Sequence, residues 1–306
     1  MMMVQIVSYI SFLVAIIAMV VKTMRYINAP EGLRWELYPV PHEKGRSDYG
    51  GSYLEELDWW TKPRHSDMFN ELKEMAEEII LFKGVWRNNL KVWLFSFPFH
   101  FGLYLSIGWL ALLLLGGILQ AAGMAIGNTA GFLGVLIHYA TLITGYAGLI
   151  LAGFGALGLL VWRLTDKGQR AYNSPMEYFN LLAFDVVVAI ALIAQFSTDP
   201  GFLAVRSYMQ SLVTFSTPIV TGGWLKAEII AVSLMIMYIP LTRMSHFVAK
   251  YFLYHAVRWN DKPNERGSRL EKSLVKMLNQ KVGWSAPHVK TGKSWAEVVT
   301  EAKDEQ

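Results

Sequence analysis

The chain contains no cysteine. That absence removes iron–sulfur clusters, thiolate zinc sites, haem attached covalently through CxxCH, disulfides and cysteine nucleophiles. A redox centre held by this chain has to hang on histidine or methionine. Charge is also sparse: Asp, Glu, Lys and Arg make up 17% of the 306 residues, where a soluble domain carries about a quarter. No Walker loop, dinucleotide-type glycine fingerprint, low-complexity tract or internal repeat occurs, and the lack of repeated halves argues against a transporter. What is present is apolar. Hydrophobic residues reach 53%, aromatics 13%, and the mean hydropathy is +0.30, the composition of a surface that faces lipid. Lys and Arg outnumber Asp and Glu by only 28 to 24. Because they gather in particular loops, they mark membrane topology, and no nucleic-acid partner is expected.

Five apolar runs, at residues 4–21, 92–120, 131–162, 178–196 and 222–245, are long enough for a hydrocarbon core of about 30 Å, which takes ~20 helical residues. They predict an all-α membrane protein, a five-transmembrane-helix bundle. No Lys or Arg precedes the first run, whereas Lys22 and Arg25 follow it, so it reads as a retained helix and not as a cleaved signal peptide. Eleven Lys and Arg fall in residues 22–92, three in 163–170 and twelve from Arg243 onward. The positive-inside rule then places the N-terminus outside and the C-terminus in the cytoplasm, in a multi-pass protein of the cytoplasmic (inner) membrane. The organisation expected is a first transmembrane helix over 1–27, a cytoplasmic loop with an amphipathic helix over 28–91, a four-helix haem-binding membrane region over 92–257 and a cytoplasmic tail over 258–306.

In the first loop, Pro30, Pro39, Pro41 and Pro63 punctuate an irregular first half. Across 68–93, Met68, Leu72, Met75, Ile79, Phe82 and Trp86 recur at helical spacing against Glu71, Lys73, Glu74, Glu77 and Glu78, which predicts one amphipathic helix. Its acidic face suits a protein contact better than anionic lipid, with an interfacial helix as the alternative. The tail carries one further helical stretch, 270–278.

The seven histidines divide by depth. His100 lies in WLFSFPFHFGLY of the second run, roughly 13 Å inward of Lys91. His246, in PLTRMSHFVAKYFLYH, stands at the inner end of the fifth, so the two can share one haem iron. Gly102 and Gly108 would make room for a porphyrin, and Arg243 could neutralise a haem propionate. His255 follows nine residues after His246, half a turn away on a continuous helix, so only one of them looks into the bundle. His138, in VLIHYATLITGYAG, falls about 36 Å from Trp162, near the outer boundary. No second histidine accompanies it there. A haem at His138 would be five-coordinate or completed by a non-histidine group, Met124 and Met235 being distant candidates. Alternatively His138 hydrogen-bonds a quinone, in a shallow cavity shaped by Tyr139, Tyr146, Gly145 and Gly148. A packing role is the plain alternative for each membrane histidine, and His42, His65 and His288 sit in polar segments as solvated or partner-contacting residues. Two acids inside spans complete the candidates. Asp185 is either a proton relay or a structural hydrogen-bonding group; Glu228 either pairs with Lys226 or accepts protons from a quinol.

This arrangement resembles the cytochrome b membrane subunits typified by the gamma subunit of respiratory nitrate reductase, over roughly residues 1–260. The loop segment Trp-Glu-Leu-Tyr-Pro-Val-Pro-His-Glu at 35–43 is similar to the branch in heterodisulfide-reductase-like (Dsr- and Tmc-type) complexes of anaerobes, including sulfate reducers. The resemblance implies a haem b subunit that exchanges electrons between membrane quinone, with menaquinone a candidate, and a cytoplasmic iron–sulfur partner. A periplasmic multihaem cytochrome c is often part of such a complex. It implies His100 and His246 as inner-haem ligands, with His255 as a substitute. The chain departs from the nitrate-reductase pattern of two histidines on each of spans two and five: span two has only His100, and Glu228 stands eighteen residues before His246. One or two haems are therefore implied, the second held through His138 in a different manner. The competing expectation is a haem-free membrane anchor or quinone-binding subunit of the same kind of complex.

Overall fold

The computed structural model describes residues 2–29, 56–62, 67–218, 220–252, 266–287 and 289–301. Among these no strand forms, and the order of helices is α1 (Met2–Ile27), α2 (Met68–Ile80), α3 (Lys83–Asn88), α4 (Leu90–Ala121), α5 (Phe132–Thr165), α6 (Lys167–Tyr172), α7 (Pro175–Ser197), α8 (Leu203–Thr214), α9 (Gly223–Leu241), α10 (His246–Ala249), α11 (Arg269–Leu278) and α12 (Trp295–Glu301). Five of them, α1, α4, α5, α7 and α9, are long and apolar enough to cross a membrane, as the five runs predict. Local chemistry sets their starts. Asn89 accepts from the Val92 N–H at 3.2 Å to open α4, and Ser174 with Glu177 forms a capping box around Pro175 to open α7.

The chain divides into two compact units, Met1–Ala18 with Glu78–Thr242, and Met19–Glu77 with Arg243–Gln306. In the first unit α4 and α5 meet backbone to backbone. A Cβ on Gly102 would lie 2.3 Å from the Ala152 nitrogen, and one on Gly155 would lie 2.3 Å from the Phe99 nitrogen. Lipid supplies no hydrophobic drive between helices, so small residues that let backbones touch do the packing. Gly102 therefore serves the helix contact, and the room for a porphyrin expected there is filled by α5. Gly108, with nothing within 4 Å, keeps open space beside it.

The short helix α8 is absent from the sequence reading. At 12 residues it cannot cross a membrane. It packs on α4 where Gly117 comes within 2.7 Å, measured from its notional Cβ, of the Gln210 nitrogen. Asp199 caps it, accepting from the Leu203 and Val205 N–H groups at 2.8 and 3.0 Å. Around it lies the main apolar core: Trp109, Leu113, Phe202, Tyr208, Leu225 and Ile229. One face of α1 carries Gln5, Ser8 and Ser11, all buried. Gln5 donates to the Ser216 carbonyl at 2.7 Å, and Ser8 shares hydrogen bonds with Tyr208 and Ser233 at 2.8 and 2.9 Å.

Two expected helices are interrupted. The pattern over 68–93 breaks after Ile80, where Phe82 takes φ 56° before α3 begins. The run 222–245 stops as helix at Leu241; Thr242 is extended, and a single 3-10 turn over Arg243–Ser245 precedes α10. His246 thus does not continue the fifth spanning helix, and its expected half-turn relation to His255 reaches outside the described residues. Pro240 lies one residue inside that end.

Within the second unit, the tail is an ordered motif around buried Leu274, Val282 and Val289. Besides α11, which covers the stretch expected at 270–278, it forms α12, opened by Ser294 and Glu297. Glu297 accepts from the Ser294 backbone N–H at 2.7 Å and its hydroxyl at 2.8 Å, and these bonds hold its carboxyl below the usual carboxylate range. A depressed carboxyl stabilises the fold above its unfolded pKa, and that contribution disappears as pH falls through the folded value. Amide hydrogen exchange in α12 is expected to quicken below the ordinary carboxylate range and to lose that pH dependence in Glu297→Gln; identical profiles would show the cap to be idle.

Candidate functional site

His100 sits three turns into α4 and is partly buried. Its Nδ1 lies 2.7 Å from the Ser96 carbonyl oxygen. A carbonyl only accepts, so Nδ1 carries a proton. The ring is flanked by Phe82 at 4.7 Å and Phe99 at 5.1 Å between centroids. The left-handed turn at Phe82, which costs a non-glycine residue about 1 kcal/mol, is what brings that ring to the histidine. Two side chains of α4 hold the turn: Trp93 Nε1 donates to the Leu81 carbonyl and Tyr104 to that of Ile79, both at 2.9 Å.

His246 and Arg243 belong to the second unit, where both are exposed. Ser245 between them is buried and accepts from Lys22. His255, His42, His65, His288 and the 35–43 segment lie outside the described residues.

His138 occupies the second turn of α5 and is 8% exposed, with a buried Nδ1 that has no partner among the described residues. Tyr139 meets it edge-on at 5.2 Å, and Gly201 approaches its Cε1. The cavity expected from Gly145 and Gly148 is not there. Phe202 and Trp109 fill the space over Gly145, and Ser106 fills that over Gly148. Tyr146 is turned to the Pro200 carbonyl, at 3.1 Å. Of the sulfur candidates, Met124 is exposed in the α4–α5 connection and Met235 is buried on α9.

Asp185, on α7, is partly buried, with an Oδ2 that has no partner among the described residues. Glu228 is 1% exposed and accepts from Gln195 Nε2 at 2.6 Å. The expected pairing with Lys226 is replaced by this bond. Residues two apart on a helix point to different sides, and Lys226 is exposed.

Sequence reasoning missed Gln195, Trp109, Asp199 and Arg206. Arg206 is fully buried, with no hydrogen-bond partner for any guanidinium nitrogen among the described residues, and Asp199 is the counter-charge that acts on it. The turn signal Thr-Asp-Pro-Gly at 198–201 followed by Val205, Tyr208 and Leu212 at helical spacing was the available clue to α8. No metal-sized group of three or more His, Asp or Glu occurs among the described residues. No family model, curated protein or solved structure matches the chain.

Proposed function

We propose that this chain is the haem b membrane subunit of an anaerobic respiratory complex, exchanging electrons between membrane quinone and a cytoplasmic iron–sulfur, heterodisulfide-reductase-like partner. The observation that carries this reading is the Nδ1–H bond from His100 to the Ser96 carbonyl. Histidines that ligate metals almost always donate their other ring N–H in this way, which fixes the tautomer and ring orientation and raises the basicity of Nε2. No thiolate competes for a b-type haem; His100 would supply imidazole nitrogen, and His246 and Arg243 are the candidates for a second ligand and for a cation toward a propionate. Bound haem would supply a one-electron couple tuned by its axial ligands and surroundings.

The chain's own residues do the rest. His100 is oriented by Ser96 and shielded by Phe82 and Phe99. His138, whose Nδ1 has no partner among the described residues, is the candidate for a second haem whose opposite position is open or held by a non-histidine ligand. The helix α2 buries none of its residues and leaves Met68, Phe69 and Leu72 exposed beside its acidic face, which suits docking of the iron–sulfur partner.

The test is the dithionite-reduced minus oxidised visible spectrum of purified full-length protein, with haem counted by pyridine haemochrome. A b-type α-band with one or two haems per chain is the expected result. Its absence from protein made in a haem-replete host would remove the reading in favour of the haem-free anchor.

A further inference from the structure

The tail motif carries more positive charge than its own acids answer. Residues 266–301 hold seven Lys and Arg against three Glu. Each of the three acids is engaged within the motif. Glu297 caps α12, and Glu301 pairs with Lys293. Glu271 accepts from the Gly267 N–H at 2.6 Å while its own N–H donates to Ser268, closing the start of α11. Three of the cations, Arg269, Lys272 and Lys276, follow one another at three- and four-residue spacing and so share one face of α11. All three are exposed, and none pairs with a carboxylate among the described residues. Leu274, on the opposite side of the helix, is buried in the motif and fixes which face points outward.

The level of this face is set by α1. Lys276 donates at 3.5 Å to the carbonyl of Asn28, the residue that follows the last of α1. The final carbonyls of a helix have no partner within it, and a cation there also meets the negative end of the helix dipole. Because α1 is long and apolar enough to cross a membrane, this end stands where hydrocarbon gives way to headgroups. Arg25, exposed and three residues before Asn28, adds a cation on the same face of α1. From Lys276 the basic row runs seven residues, about 10 Å, to Arg269.

We infer that the face of α11 formed by Arg269, Lys272 and Lys276, together with Arg25, binds the phosphates of anionic phospholipid headgroups and so seats the tail motif on the membrane surface. The charges are complementary, and each cation held at an anionic leaflet strengthens attachment about fivefold. An acidic protein is the other partner that a basic face could take. The bond to Asn28 favours lipid, because it holds the row at headgroup level with no partner present. The inference needs α1 to cross a membrane and is independent of the haem reading.

The chain has no cysteine, so Val275→Cys, at an exposed position next to Lys276, carries a single bimane label. Full-length labelled protein is placed in nanodiscs of phosphatidylcholine alone, or of phosphatidylcholine mixed with phosphatidylglycerol. Both contain the same small fraction of phosphatidylcholine with a nitroxide on its headgroup as quencher. Quenching is expected to be about twofold or more stronger in the anionic discs at low salt. Raising salt to about 1 M, where the screening length shrinks to about 3 Å, should bring the two discs together. Arg269→Gln/Lys272→Gln/Lys276→Gln should do the same at low salt; glutamine keeps the helix propensity, and amide exchange at α12 checks that the motif is folded. If the triple variant does not fold, the salt series on the parent sequence decides. Equal quenching in the two lipids at low salt, or a difference that survives either high salt or the triple substitution in folded protein, would overturn the assignment.

Discussion

Purified His100→Ala protein is expected to lose one low-spin haem per chain, with the corresponding b-type α-band and low-spin electron paramagnetic resonance signal. The expectation rests on the geometry around the ring. The Ser96 carbonyl takes the Nδ1 proton at 2.7 Å, and the turn at Phe82, held by Trp93 and Tyr104, fixes a ring against the imidazole. Together these hold the ring in one orientation, as a ligand requires. His246→Ala is expected to abolish the same signal, and His255→Ala to spare it. Phe82→Leu keeps the Ser96 bond and should keep the haem. Full bis-histidine signals in both His100→Ala and His246→Ala would refute the assignment of this pair. A count of two haems falling to one in His138→Ala would place the second at α5; one haem, unchanged by that substitution, would leave His138 a packing or hydrogen-bonding residue.

What could be read in the sequence was whatever repeats over a long stretch. The five spanning helices rest on apolar runs of about twenty residues, a signal few other structures produce. The polar placements inside the bundle rest on contacts between distant segments. Gln195 and Glu228 are separated by 33 positions, and nothing local at either announces the other. Lys226, two residues from Glu228, was the nearer charge in sequence and the wrong one in space. The helix α8 escaped because Arg206, Gln210 and two serines dilute its twelve residues below the hydropathy of a span, although its cap and turn were visible at 198–201. At Phe82 no glycine or proline marks the break, and a phenylalanine at positive φ is held there by bonds from α4, a tertiary cause with no local trace. Near 241–242 the sequence does carry a mark, Pro240, one residue inside the helix end. Histidine positions were legible as candidates. Their tautomers and neighbours were not.

The same distinction between pattern and placement separates two glycines six residues apart on α4, and replacing them should give opposite results. A Cβ at Gly102 would stand 2.3 Å from the Ala152 nitrogen, 2.8 Å from its Cα and 2.8 Å from the Gly148 carbonyl oxygen. All three are backbone atoms of α5, so no side chain can swing aside and the helices themselves must separate. Their contact also includes Gly155 against Phe99 and Gly148 against Ser106, so the displacement spreads along the pair. Overpacking of this kind costs about 1–3 kcal/mol where side chains can adjust, and here Gly102→Ala should reach the upper end or fail to accumulate. Gly108→Ala meets nothing within 4 Å and removes a flexible residue from a helix interior, a change worth roughly 0.5–1 kcal/mol in favour of the fold in water. Thermal unfolding in detergent, followed by loss of the monodisperse peak, should place Gly102→Ala well below the parent and Gly108→Ala at or above it. Because His100 rides on α4, the Gly102 variant should also lose haem. A Gly102→Ala protein melting with the parent would mean that α4 and α5 do not meet at this point.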